Sequence, residues 1–141
     1  MKGTPIGKLI SQISRQNQKY LTRELKAYQI GGGGQHSFLI EIIREPGINQ
    51  DQLTDKLQFD KATTARTVKQ LEEASYILRK IDENDRRAYM LYPTKKGMEF
   101  YPTLQKIIET SNQKLTRNLS ESEINQLFTL LKKIEFTSRK N

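Results

Sequence analysis

The chain has 141 residues, the size of one ordinary domain, and carries a net charge of +8 with no cysteine and one histidine. Without thiols, disulfides, thiolate metal sites and cysteine redox switching are excluded, and a single imidazole cannot build the usual metal cluster. No stretch approaches the ~20 apolar residues of a membrane span and no signal-peptide run opens the chain, so a soluble, cytoplasmic protein without a cofactor is expected, its basic surface biased toward a polyanion.

The charge excess falls in separate blocks: +5 over residues 1–30, −2 over 31–58, +3 over 59–97 and +2 over 98–141. Within the first block Ile6, Leu9, Ile10, Ile13, Tyr20, Leu21, Leu25 and Tyr28 recur at three- and four-residue steps with Lys and Arg between them, which predicts a long amphipathic helix over 4–30. Four consecutive glycines, 31–34, stop it, since each costs a helix ~1 kcal/mol relative to Ala. A phosphate-cradling loop would need Lys-Ser/Thr after the glycines and an apolar strand before them, and the chain has neither.

Phe38, Leu39, Ile42 and Ile43 mark a short helix that Pro46-Gly47 ends, because the residue before proline is pushed out of the helical region. Asn49 with Gln52 forms a capping-box pattern for the next helix, whose buried stripe is Leu53 and Leu57. After a tight turn at Gln58 and Phe59, Asp60 caps a third helix, "DKATTARTVKQLEE". On a wheel of 100° per residue, Ala62, Ala65, Val68 and Leu71 fall on the inner side. Thr63, Arg66, Thr67 and Gln70 fall on the outer side, with Lys61 at the start and Lys69 on the flank. Among those side chains there is no carboxylate, and glutamate appears only at Glu72 and Glu73, near the helix end. The outer face reads either as a solvated surface or as a face that lies against DNA, where Arg pairs with guanine, Gln with adenine, and Thr with phosphates or thymine methyls.

The stretch "YILRKIDENDRRAYMLYPT" alternates with period two on both sides of Asp82-Glu83-Asn84-Asp85, which is turn chemistry, so a β-hairpin is predicted with Arg86 and Arg87 at its tip. Helix, short helix, longer helix and charged hairpin is the order of a winged helix-turn-helix, and a narrow minor groove attracts arginine from such a wing. After Thr94, a cap, Met98, Tyr101, Leu104, Ile107, Ile108 and Leu115 continue helical spacing across Pro102, which is expected in the first two turns or at a kink in them. Ser120 and Glu123 form a second capping box before Ile124, Leu127, Phe128, Leu130, Leu131 and Ile134. The terminal helices carry more apolar surface than a small core covers, which points to burial against a second copy or to folding back on their own core.

The run "DENDRRAYMLYPTKKG", with its Asp-x-Arg tip, strand and Thr-x-x-Gly, together with "REPGINQDQL" and "DKATTARTVKQLEEASYI", resembles the MarR family of winged-helix transcriptional regulators over nearly the whole length. The resemblance implies one domain over 1–141, mainly α with a small β-hairpin wing. Within it, 4–30 and 94–139 are dimerisation helices and 35–93 is the DNA-binding lobe. It further implies a homodimer bound to a pseudo-palindromic operator in double-stranded DNA, a repressing role, and release by a small lipophilic or phenolic effector.

Matched position by position, Thr63, Arg66, Thr67 and Gln70 correspond to the family's recognition face, Lys61 and Lys69 to its flanking contacts, and Asn49 and Gln50 to phosphate contacts. In the wing, Arg87 matches the minor-groove arginine, Asp85 the acid that orients it, and Arg86 a phosphate contact; Arg15, Tyr20 and His36 are candidates for an effector cleft. The glycine run departs from the family pattern, in which many relatives place a Ser/Thr cap. The other reading is a winged-helix protein-interaction module with non-specific nucleic-acid affinity. No nucleophile–base pair or metal cluster is legible, so an enzyme is not expected.

Overall fold

A computed structural model of the chain describes residues 3, 5–84 and 89–134. In chain order these form α1 (Ile6–Leu25) with a 3₁₀ turn at Lys26–Tyr28, α2 (Gln35–Arg44), α3 (Gln50–Leu57), α4 (Lys61–Glu73), β1 (Ile77–Ile81), β2 (Tyr89–Pro93), α5 (Lys95–Thr116) and α6 (Glu121–Lys133). The two strands pair antiparallel, Ile77 opposite Pro93 and Ile81 opposite Tyr89. This is a mainly helical winged helix-turn-helix. Among the described residues no helix is long and apolar enough to cross a membrane.

Local chemistry sets most of the helix starts. Asn49 Oδ1 accepts from the Gln52 amide at 2.8 Å while Gln52 Oε1 accepts from the Asn49 amide at 3.0 Å, so the expected capping box is complete. Ser120 and Glu123 do the same for α6 at 3.1 and 2.8 Å. Asp60 Oδ1 caps α4 by accepting from the Thr63 amide at 2.6 Å, and Thr94 Oγ1 caps α5 by accepting from Gly97 at 3.1 Å. Helix α5 runs through Pro102 without interruption, and the proline sits just past its second turn.

Gly97 gives the Thr-x-x-Gly run its physical reason. A Cβ there would stand 2.4 Å from the Tyr76 carbonyl oxygen, so α5 packs against the base of the hairpin at a distance only glycine allows. The same carbonyl accepts from the Thr94 amide at 3.0 Å, and Thr94 Oγ1 donates to the Ser75 carbonyl at 2.6 Å. Around this joint Phe100 stacks at a tilt against Tyr28 and Tyr76, at 4.8 and 5.2 Å between ring centres, and Tyr76 Oη donates to the Tyr28 carbonyl.

The core lies inside the lobe. Phe38, Leu39 and Ile42 from α2, Leu53 from α3, Val68 and Leu71 from α4, and Ile48 and Leu91 beside the hairpin are all buried. Leu21 and Leu25 from the end of α1, and Phe100 and Leu104 from α5, close it from one side. An isolated bridge pairs Ile48 with Leu91, with Leu91 N–H donating to the Ile48 carbonyl at 2.9 Å and Gly47 N–H to the Leu91 carbonyl at 2.7 Å. This bridge ties the segment entering α3 to the wing.

The glycine run serves backbone conformation at its end and close side-chain contacts at its start. Gly33 and Gly34 adopt positive φ, and Gly34 serves as the cap position of α2 without a side chain to offer. A Cβ on Gly32 would stand 2.5 Å from Thr22 Oγ1, and one on Gly31 would meet the Gln35 amide at 2.9 Å. Instead Gly31 N–H donates to Gln35 Oε1 at 2.8 Å.

Candidate nucleic-acid interface

Helices α3 and α4 are joined by hydroxyls as well as by apolar packing. Thr54 Oγ1 and Thr64 Oγ1 are 2.8 Å apart, and Thr64 Oγ1 donates to the Asp60 carbonyl at 3.0 Å, so the buried threonine is satisfied and fixes one helix against the other. Thr64, Thr67, Val68 and Leu71 form the inward face of α4. This corrects the wheel drawn from sequence: Thr67, expected outside, is only 3% exposed. Ala62 and Ala65, expected inside, are exposed. The helix is turned by roughly 80° from that expectation, counting 100° per residue.

The exposed face therefore carries Ala62, Ala65, Arg66, Lys69 and Gln70, with Lys61 at its start and Glu73 at its end. Thr63 is half-buried, and its Oγ1 accepts from Arg66 Nη2 at 3.3 Å, which lays the guanidinium toward the beginning of the helix. Asp60 there is held below the usual carboxylate range, first by the Thr63 backbone amide, then by the Thr63 hydroxyl, with the Arg66 charge adding to both. Gln70 is drawn away from the rest, because its Oε1 accepts from Gln35 Nε2 of α2. Glu72 is paired with Arg79 Nε at 3.1 Å, which locks α4 to β1 and compensates that carboxylate.

Asn49 and Gln50 stand at the start of α3, both half-buried, and the Asn49 side-chain oxygen is committed to the cap. In the hairpin, Asn84 N–H donates to Asp82 Oδ1 at 2.9 Å, the turn motif expected of Asp. Asp85, Arg86 and Arg87 lie outside the described residues.

The three effector candidates have separate surroundings. Arg15 is exposed and, of the three, alone lines the groove along α1 beside Gln18, Lys19 and Arg23. Tyr20 is half-buried, with the Lys114 ammonium 4.4 Å and the Arg23 guanidinium 5.6 Å from its ring centre. His36 is half-buried near the start of α2, where burial pushes its pKa below the ordinary value. Among the described residues no group of three or more His, Asp or Glu side chains could hold a metal.

The model of the MarR family matches residues 34–89, the stretch from the α2 cap to the second strand. The HTH-type transcriptional regulator YybA of Bacillus subtilis (strain 168) is 32% identical over 101 residues, covering 72% of this chain and 67% of that one. Among solved structures, a MarR transcriptional regulator from Methanosarcina mazei Go1 is 37% identical with a TM-score of 0.84, covering 90% of this chain and 91% of that one. A MarR family transcriptional regulator from Listeria monocytogenes, solved with a 26mer DNA, is 33% identical with a TM-score of 0.83, covering 90% and 84%. With a relative of that identity and these folds matched over nine-tenths of its length, the chain belongs to the MarR family, whose members are transcriptional regulators and not enzymes.

Proposed function

We propose that the protein is a homodimeric, sequence-specific binder of double-stranded DNA that represses transcription. The observation that carries this reading is the exposed face of α4 on a helix-turn-helix, where Lys61, Arg66 and Lys69 stand over the first two and a half turns and the exposed carboxylate, Glu73, comes only at the helix end. Its Listeria relative was solved with DNA. In this reading α4 enters the major groove, Asn49 and Gln50 meet phosphates, and Arg87 reaches the minor groove with Asp85 orienting it and Arg86 on a phosphate. Two copies then place their recognition helices about 34 Å apart, one turn of the duplex.

Support for the dimer comes from apolar side chains that one chain leaves in water. On α1 these are Ile6, Leu9, Ile10 and Ile13; on α6, no residue is buried, and Phe128 is 66% exposed. Release by a small lipophilic or phenolic effector belongs to the same reading and rests on the family alone. Such a ligand would shift the dimer toward a helix spacing that fits the operator poorly, by no more than its own preference for that state.

Selection of bound sequences from a random duplex pool at near-physiological salt tests the reading. An enriched inverted repeat with half-sites one turn apart is the expected result. Equal binding to scrambled DNA, with a steep salt slope, would overturn it, since only phosphates would then be counted. Against the selected operator, Arg66→Ala should cost about 1–3 kcal/mol and relax base preference at one position per half-site.

A further inference from the structure

The orientation of α4 changes what the helix can offer a groove. With Thr64, Thr67, Val68 and Leu71 turned inward, its first two turns expose Ala62, Ala65 and Arg66, with Lys61 before them and Lys69 after. The neighbouring polar side chains are already engaged: Thr63 Oγ1 accepts from Arg66, and Gln70 Oε1 accepts from Gln35. What the first two turns present is one guanidinium between two methyl groups, flanked by the Lys61 and Lys69 ammoniums. The bond to Thr63 uses one of five N–H donors, so Arg66 retains the pair needed for guanine O6 and N7 while its plane is already oriented.

We propose that Ala62 and Ala65 are specificity-determining residues that read the C5-methyl groups of thymines beside a guanine bound by Arg66. This rests on the DNA-binding reading above. The N-terminal residues of a recognition helix are those that reach base edges, and among the four bases thymine alone presents a methyl in the major groove. Cytosine carries only a hydrogen at C5, so the same alanine finds no methyl to bury there and that contact is lost. The pairing of a guanidinium with two methyls thus selects a T-flanked guanine in each half-site.

The test uses the full chain and the operator enriched from the random pool, synthesised with thymine or with deoxyuracil at each thymine in turn. Removing a contacted methyl should weaken wild-type binding roughly fourfold, the fold-change that burying one methyl group carries. In Ala65→Gly and Ala62→Gly that thymine-to-uracil ratio should fall to one at the position each alanine touches. Glycine also weakens the helix, so the ratio is taken within each protein and repeated with Ala65→Ser. Specific binding that is indifferent to every uracil, or ratios that persist in all three variants, would overturn this inference and leave the DNA-binding reading standing. A pool that yields no enriched sequence would overturn both.

Discussion

The lobe and the terminal helices solve the same problem, covering apolar surface, to very different extents. In the lobe, Phe38, Leu39, Ile42, Leu53 and Leu91 have no exposed surface, and hydroxyl bonds, caps and the Ile48–Leu91 bridge satisfy the polar groups between them. Along α1 the buried residues are Leu21 and Leu25, both near its end, and α6 has none. Apolar surface left in water forgoes about 25 cal/mol per Å², so the two halves differ in whether one chain is enough. The lobe, closed by Leu21, Leu25, Phe100 and Leu104, is a finished core, whereas the first half of α1 and the whole of α6 stay uncovered by this chain.

Four changes break or sharpen that contrast. Leu53→Ala opens a cavity where nothing is exposed and should cost about 2–5 kcal/mol in urea unfolding; a loss below about 1 kcal/mol, the size of an ordinary substitution, would show that the lobe core is not self-sufficient. Phe128→Glu combined with Leu131→Glu places charges on the exposed stripe of α6. Sedimentation should then report a monomer, and operator affinity should fall by about 100-fold or more as the half-sites cease to be held together. A dimer that survives both changes would mean that another surface joins the copies.

Gly97→Ala drives a Cβ against the Tyr76 carbonyl, which is itself held by Thr94, so the joint cannot yield and about 1–3 kcal/mol should be lost in thermal unfolding. The smallest effect belongs to His36. Burial lowers its pKa from 6.5, so as pH falls through that value the unfolded chain takes up a proton before the folded one does. Stability is therefore full above 6.5 and declines below it, and His36→Gln should flatten that slope in denaturant titrations at stepped pH.

What could be read from the sequence was what depends on near neighbours in the chain. The caps at Asn49, Asp60, Thr94 and Ser120 each need a partner three residues away, and all four form. The two strands are likewise where the alternation put them. The face of α4 turns the other way because polarity ranks alanine inward and threonine outward, whereas what buries Thr64 is a hydroxyl on another helix, Thr54, and not its own hydropathy. Thr67 shares that inward face, whereas Gln70 is claimed by Gln35, 35 residues away in the chain. Lys61, Arg66 and Lys69 are exposed as expected, since long cations rarely go elsewhere. The glycine run announced the end of α1, but its close fit to Thr22 and Gln35 could be seen only once α2 had folded back.

The close seat of Gly97 has a mechanical meaning. Helix α5 spans 22 residues, about 33 Å at 1.5 Å per residue, and its first turn is clamped to the root of the wing. In the assembly we propose, it is a lever whose short arm holds the reading head and whose long arm lies with the partner. A tilt of five degrees at one end would displace the other by about 3 Å over that length, a sizeable fraction of a base-pair step. The molecule's tuning point is then a carbonyl and an absent methyl, far from any base.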